Sequence, residues 1–183
     1  MKTWLQKLST ASILLVLLIG FSHARAEKPV LVDYGVAPGF AGIEKWLNSE
    51  PLTMEGLRGK VVLLDFWTYS CINCLRTLPH VTKWHERYKD QGLVVVGVHT
   101  PEFAFERQTR NVQTAIKRFG IKYPVAQDNQ YATWKAYDNQ YWPAAYLIDR
   151  KGRIVLKHFG EGRYDEMESA IRMLLASDAP VLK

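Results

Sequence analysis

Cys71 and Cys74 are the two cysteines of this 183-residue sequence, and their spacing sets the chemistry open to them. A bridge between residues three apart closes a loop of about four residues. It removes only about 2 kcal/mol of unfolded-chain entropy, so it stabilises weakly and switches easily. Such a pair suits thiol-disulfide exchange: one thiolate attacks a disulfide sulfur to give a mixed disulfide, and the second thiol resolves it, leaving a Cys71–Cys74 disulfide. Asp65, six residues before Cys71 in an apolar run, is a candidate base for the second thiol. A buried, unpaired carboxylate is costly, so its pKa should rise toward a useful range. The alternative is that its side chain bonds a loop or points outward near a strand end.

These residues need a strand and a helix to hold them. Val61 to Trp67 is a near-continuous apolar run of strand length, interrupted by Asp65 alone, as expected of a strand buried on both faces. After Thr68-Tyr69-Ser70 and Cys71, the apolar residues Leu75, Leu78, Val81, Trp84 and Tyr88 recur at helical spacing from Asn73 to Lys89, with Pro79 expected to kink the helix. Cys71 therefore falls at a helix start, where unpaired N–H groups and the dipole favour a thiolate, and Cys74 falls one turn inside. Cys71 is the expected attacker and Cys74 the more buried resolver.

Further along, Leu93–Val98 reads as a second buried strand, Asn111–Phe119 as a helix ended by Gly120, Pro124–Gln127 as a short strand and Tyr131–Tyr137 as a helical piece. Ala144–Asp149 and Arg153–Phe159 form a hairpin around Arg150-Lys151-Gly152, and Tyr164–Ala176 closes with Met167, Ile171 and Leu174 or Leu175 inward. Before the first strong strand, Ala37-Pro38-Gly39-Phe40 reads as a turn with Gly39 free to take a positive φ. Ile43, Trp46 and Leu47 suggest a short strand or helical turn. The order predicts an α/β fold: a mixed sheet, parallel in its first half and antiparallel in its second, with helices on both faces.

Lys2 and Lys7 flank the start, an uncharged run spans Ala11–Phe21, and Ala24-Arg25-Ala26 follows. That is the order of a secretory signal peptide cleaved after Ala26, and the run is shorter than the roughly 20 residues of a spanning helix. The expected division is residues 1–26 as signal and 27–183 as one domain. Its 21 basic and 18 acidic side chains give a net charge of +3. With no basic block, this is an ordinary mixed-charge surface, and nucleic acid is excluded as a partner.

Asp65-Phe66-Trp67, Cys71-Ile72-Asn73-Cys74, Pro79 and Trp142-Pro143 together resemble the active site of the thioredoxin superfamily. The resemblance implies that Pro143 is cis and faces the cysteines across a substrate groove lined by Trp67, Tyr69, Trp142 and Pro143. Leu57–Trp67, the Tyr69–Cys74 loop and His99-Thr100-Pro101-Glu102-Phe103 are most similar to the C-terminal domain of DipZ-like membrane thiol-disulfide proteins, and more distantly to the exported TlpA and ResA group. This implies a monomeric periplasmic or otherwise extracytoplasmic enzyme without a cofactor. It would act on disulfide-bearing or thiol proteins, with reduction the expected direction, and take electrons from a membrane carrier of the DsbD or CcdA type.

Departures from the pattern bear on proton handling and redox poise. Ile72-Asn73 replaces the usual Gly-Pro, Leu93–Val98 has no lysine, and Leu75-Arg76-Thr77-Leu78 lacks the glutamate of TlpA and ResA relatives. Glu102 and Glu106 are possible substitutes, with solvated loop carboxylates the favoured reading.

Three other classes compete. A thiol peroxidase of the redoxin group would need a Pro-x-x-x-Thr-x-x-Cys loop, which is missing here. A zinc site would use both cysteines and two of His80, His85 and His99, but no second paired spacing completes it, and His80 and His85 are expected to be exposed. A non-catalytic binding module would use Trp67, Tyr69, Tyr141 and Trp142 as a recognition surface, and would have no need of an adjacent dithiol.

Overall fold

The computed structural model describes residues 28–177; the signal segment expected at residues 1–26 lies outside them. Six strands form one sheet in the order β1-β4-β3-β2-β5-β6: β1 Lys45–Leu47, β2 Val61–Trp67, β3 Leu93–His99, β4 Val125–Gln127, β5 Ala144–Ile148 and β6 Ile154–Phe159. β2 runs parallel to β3, and β3 to β4, while β2–β5 and β5–β6 are antiparallel. The mixed sheet is thus as the sequence predicts. The short β1 adds an antiparallel edge on β4, which decides the Ile43–Leu47 region in favour of a strand.

Every residue of β2 is buried, because both faces of the sheet are covered. Val61, Leu63 and Trp67 face a core shared with the helices α1 Ile72–Tyr88, α2 Thr109–Arg118 and α4 Tyr164–Ala176. Val62, Leu64 and Phe66 face a second core containing Trp134 and Tyr137, from and beside the short helix α3 Ala132–Ala136. Alternation along the pleat assigns the two sets. Asp65 therefore points toward the α1 side, into the same layer as Leu63 and Trp67.

Helix α1 continues through Pro79, which sits on its exposed side, where the lost N–H and ring bulk disturb no core contact. Leu174 rather than Leu175 completes the buried face of α4. The expected positive φ at Gly39 is found instead at Gly35 and Gly42. Residues 32–37 run along the hairpin edge, with Val32 N–H donating to Val155 O and Tyr34 N–H to Ile154 O, each at 2.9 Å.

Gly97 of β3 lies beside Asp65 in register, on the crowded face. A Cβ there would stand 2.9 Å from Trp67 Nε1 and 3.0 Å from Tyr123 Cε2, closer than packed atoms tolerate. Gly97→Ala is expected to destabilise the protein by about 1–3 kcal/mol, seen as a lower denaturant midpoint with an unchanged slope. A wild-type midpoint would show that the two rings can move aside.

Candidate active site

Strand β2 ends at Trp67, three residues turn, and Cys71 becomes the N-cap of α1 in extended backbone (φ −73°, ψ 113°). An N-cap side chain accepts from the first free amides of the helix. Here the acceptor is sulfur: the Cys74 N–H donates to Cys71 Sγ at 3.2 Å. Cys71 is half-buried, Cys74 is 1% exposed, and both are free thiols. The Cys74 thiol donating to the Cys71 sulfur, helped by the backbone N–H groups of Cys74 and Asn73, holds the Cys71 pKa down at about 7 against burial. Cys74 moves the opposite way. Desolvation raises its pKa far above that of an ordinary thiol, and the hydrogen bond to Cys71 and the nearby Asp65 charge raise it further.

Asp65 is 1% exposed and its Oδ1 has no protein partner. Desolvation, with a smaller contribution from charge on Cys71, pushes its pKa up to about 8. It does not bond a loop or point outward. Its charge acts on Cys74.

The loop before Cys71 is tied from the other side. Glu106 sits at the end of a 3₁₀ turn, Ala104–Arg107, and is fully buried, which corrects the reading of it as a solvated loop carboxylate. Its Oε1 accepts from Ser70 Oγ at 2.6 Å and Ser70 N–H at 3.3 Å, and its Oε2 from the N–H groups of Glu102 (2.6 Å) and Phe103 (2.9 Å). Desolvation opposes its charge, but the Ser70 and Thr68 hydroxyls and these amides win, so its pKa lies below the usual carboxylate range. Glu106 thus fixes the loop and holds no proton for the sulfurs. Glu102 is exposed. Beneath the loop, His99 is buried, stacks on Tyr69 with ring centroids 5.6 Å apart, and places Nε2 3.3 Å from Thr68 Oγ1. Desolvation lowers its pKa to about 4, so it stays neutral.

Among the expected groove residues, Trp67 is corrected: with no exposed surface it belongs to the core, and its indole packs on Gly97. Trp142 is half-buried, donates from Nε1 to Thr100 O at 3.0 Å and packs on Trp134. The Trp142–Pro143 bond is cis, and Pro143 is buried. Tyr69 donates to Phe105 O at 3.0 Å and lines a hollow of about 320 Å³ with Phe105, Asn111 and Arg118.

Ile72, Tyr141, Phe103 and Phe105 remain open to solvent. The three candidate zinc histidines go to different places. His80 stacks on Tyr164 and His85 meets the Tyr123 ring, both half-buried rather than exposed, while His99 lies under Tyr69. Among the described residues no group of three or more His, Cys, Asp or Glu could hold a metal ion.

Sequence reasoning missed His158, which lines the same small cavity as Asp65 and whose Nε2 is buried without a protein partner. The available signal was strand alternation: Leu156 and His158 share the inward face of β6.

A family model described as Redoxin matches residues 37–174. Protein DipZ of Mycobacterium tuberculosis is 53% identical over 156 residues, covering 84% of this chain but 22% of its own length. The chain thus spans about a fifth of that relative. Thiol-disulfide oxidoreductase YkuV of Bacillus subtilis is 35% identical over 126 residues, covering 68% of this chain and 82% of YkuV. Among solved structures, a crystal structure of a thioredoxin-like superfamily protein superposes with a TM-score of 0.73 at 27% identity, covering 79% of this chain and 99% of its own. The solution structure of a thioredoxin-like protein in the oxidized form gives 0.71 at 30%, covering 77% and 95%.

Two expectations follow from the electrostatics. Alkylation of the reduced protein by iodoacetamide should rise with a midpoint near pH 7 at Cys71, while Cys74 stays unmodified; a Cys71 midpoint at the ordinary thiol value would contradict the N-cap account. The second concerns stability. The native Asp65 carboxyl keeps its proton to about pH 8, whereas an unfolded aspartate loses it near pH 4. The contribution is therefore full below about pH 4 and is lost as pH rises toward 8. Asp65→Asn should match wild type in acid and exceed it by a few kcal/mol above pH 8, in denaturation midpoints taken across pH. A difference that stays flat with pH would rule out the buried, protonated carboxyl.

Proposed function

The chain belongs to the Redoxin family, in the TlpA/ResA-like group of thioredoxin-fold proteins, and from that membership we propose that it is an extracytoplasmic thiol-disulfide oxidoreductase reducing protein disulfides. The observation that carries the reading is the Cys74 N–H directed at Cys71 Sγ, with Cys74 buried one turn inside the helix. Cys71 as thiolate attacks a substrate disulfide, and one substrate sulfur leaves as thiolate. Cys74 then loses its proton to Asp65 in its ionised form, whose share grows as pH approaches 8, and attacks Cys71 Sγ, releasing the second substrate sulfur. Two electrons pass from the protein dithiol to the substrate. Tyr69, Trp142 and Pro143 border the approach, and exposed Ile72 and Tyr141 offer apolar contact to a protein surface.

Export rests on the basic, apolar and Ala-x-Ala order of residues 1–26, with 27–183 as the working domain. The resemblance to DipZ-like membrane proteins supports a membrane electron donor of the DsbD or CcdA type. The peroxidase reading is less favoured, because a resolving thiol one helical turn from the attacker is built for disulfide exchange.

Reduction of insulin disulfides by the dithiol form should be abolished in Cys71→Ser, while Cys74→Ser should accumulate mixed disulfides with its substrates in extracytoplasmic extracts. Activity persisting in Cys71→Ser, or faster turnover with peroxide than with disulfides, would overturn the proposal.

A further inference from the structure

One row of the sheet runs Asp65, Ala145, His158. Asp65 of β2 pairs with Ala145 of β5, and Ala145 with His158 of β6. Residues paired across strands project to the same face. Two strand spacings separate the outer members by about 10 Å at the backbone, and the alanine between them leaves room above itself. A cavity of about 10 Å³ occupies that room, bordered by Asp65, Pro143, Ala145, His158 and Tyr164. That is about the least space that holds one water, and a buried water needs two or more polar partners. Two polar atoms on residues lining this cavity lack any protein partner: Asp65 Oδ1 and His158 Nε2. Leaving either unsatisfied is costly in the interior, and a shared water would satisfy both.

We propose that one water in this cavity joins Asp65 Oδ1 to His158 Nε2, making His158 a positioning residue that passes the Cys74 proton from Asp65 to solvent. The inference rests on the exchange reading above and adds the route by which the proton leaves. In the resolving step the bond between Cys71 and the substrate sulfur breaks, the Cys71–Cys74 bond forms, and the substrate sulfur departs with the bonding pair. The Cys74 proton moves to the Asp65 carboxylate, then through the water to His158 Nε2, while a proton leaves the outer ring nitrogen to solvent and the released thiolate takes one up.

His158 is half-buried, so its ring bridges interior and surface. The groups around it are few. Asp65 of β2 lines the same cavity. Arg163 opposes its protonation, and Glu166 of α4 favours it, together with the backbone of Gly160 and Glu161. Tyr164 and Met167 of α4, and Thr77, Val81 and Trp84 of α1, line the same cavity without charge. Burial is the largest influence and favours the neutral ring, the form able to take up a proton.

The test is the rate of the resolving step in single-turnover reaction of the full reduced chain with insulin, from pH 5.5 to 9.5, in wild type and His158→Gln. Glutamine keeps a polar group without a titrating nitrogen. The variant should resolve on the order of tenfold more slowly near pH 7, with its pH profile moved upward, and its Cys71 alkylation should stay as in wild type. A wild-type rate and profile in folded His158→Gln overturns the relay alone; failure of wild type to reduce insulin overturns the exchange reading and the relay with it. A second measurement leaves His158 intact. The NMR shift of its ring should show a second inflection near pH 8, where Asp65 ionises, that is missing in Asp65→Asn; the same single inflection in both proteins overturns the link.

Discussion

The chemistry of this site depends on a backbone amide pointing at a sulfur: the Cys74 N–H at 3.2 Å from Cys71 Sγ. A helix leaves its first amides without partners, and an anion beside them gains both hydrogen bonds and the dipole. For Cys71 to collect that interaction, β2 must stop at Trp67 and the chain must turn into α1 within three residues. Burial of all seven β2 residues between two cores fixes the first condition. The Glu106 carboxylate, gripping Ser70 through both its hydroxyl and its amide, fixes the second.

The same junction separates two thiols that lie three residues apart. Cys71 gains the Cys74 thiol and amide donors and keeps access to solvent, whereas Cys74 sinks into the core beside an unpaired acid. Their acidities move in opposite directions, and that divergence distinguishes an attacker from a resolver. Asp65 is costly to keep because its charge has no partner in the interior. Native stability is surrendered at alkaline pH to hold an unpaired carboxyl beside the buried sulfur.

Strand β3 carries no lysine and Leu75-Arg76-Thr77-Leu78 no glutamate, which leaves Asp65 to meet the sulfurs without either. Glu106, the buried acid of the loop after β3, is committed to four hydrogen bonds that brace that loop. Its burial is structural, and its low pKa makes it a poor proton acceptor. The loop that carries it also brings Phe103 and Phe105 to the surface close to Tyr69, so one segment both braces the reactive turn and shapes its apolar border.

The amino-acid sequence alone determined the strand, the helix and the junction where Cys71 falls, because each is written in local periodicity: a run buried on both faces, an apolar stripe at helical spacing, a short polar turn between them. It also determined the order of parallel and antiparallel strands. It left the facing of individual side chains open, since a strand apolar at nearly every position carries no alternation to read. Trp67 therefore looked like a groove wall and belongs to the core, and Glu106 looked solvated and is buried. Only the tertiary structure set His158 in a row with Asp65, because that adjacency comes from β5 lying between β2 and β6 in one register. Pairing between strands distant along the chain is fixed by the packing of the whole sheet, and no local pattern encodes it.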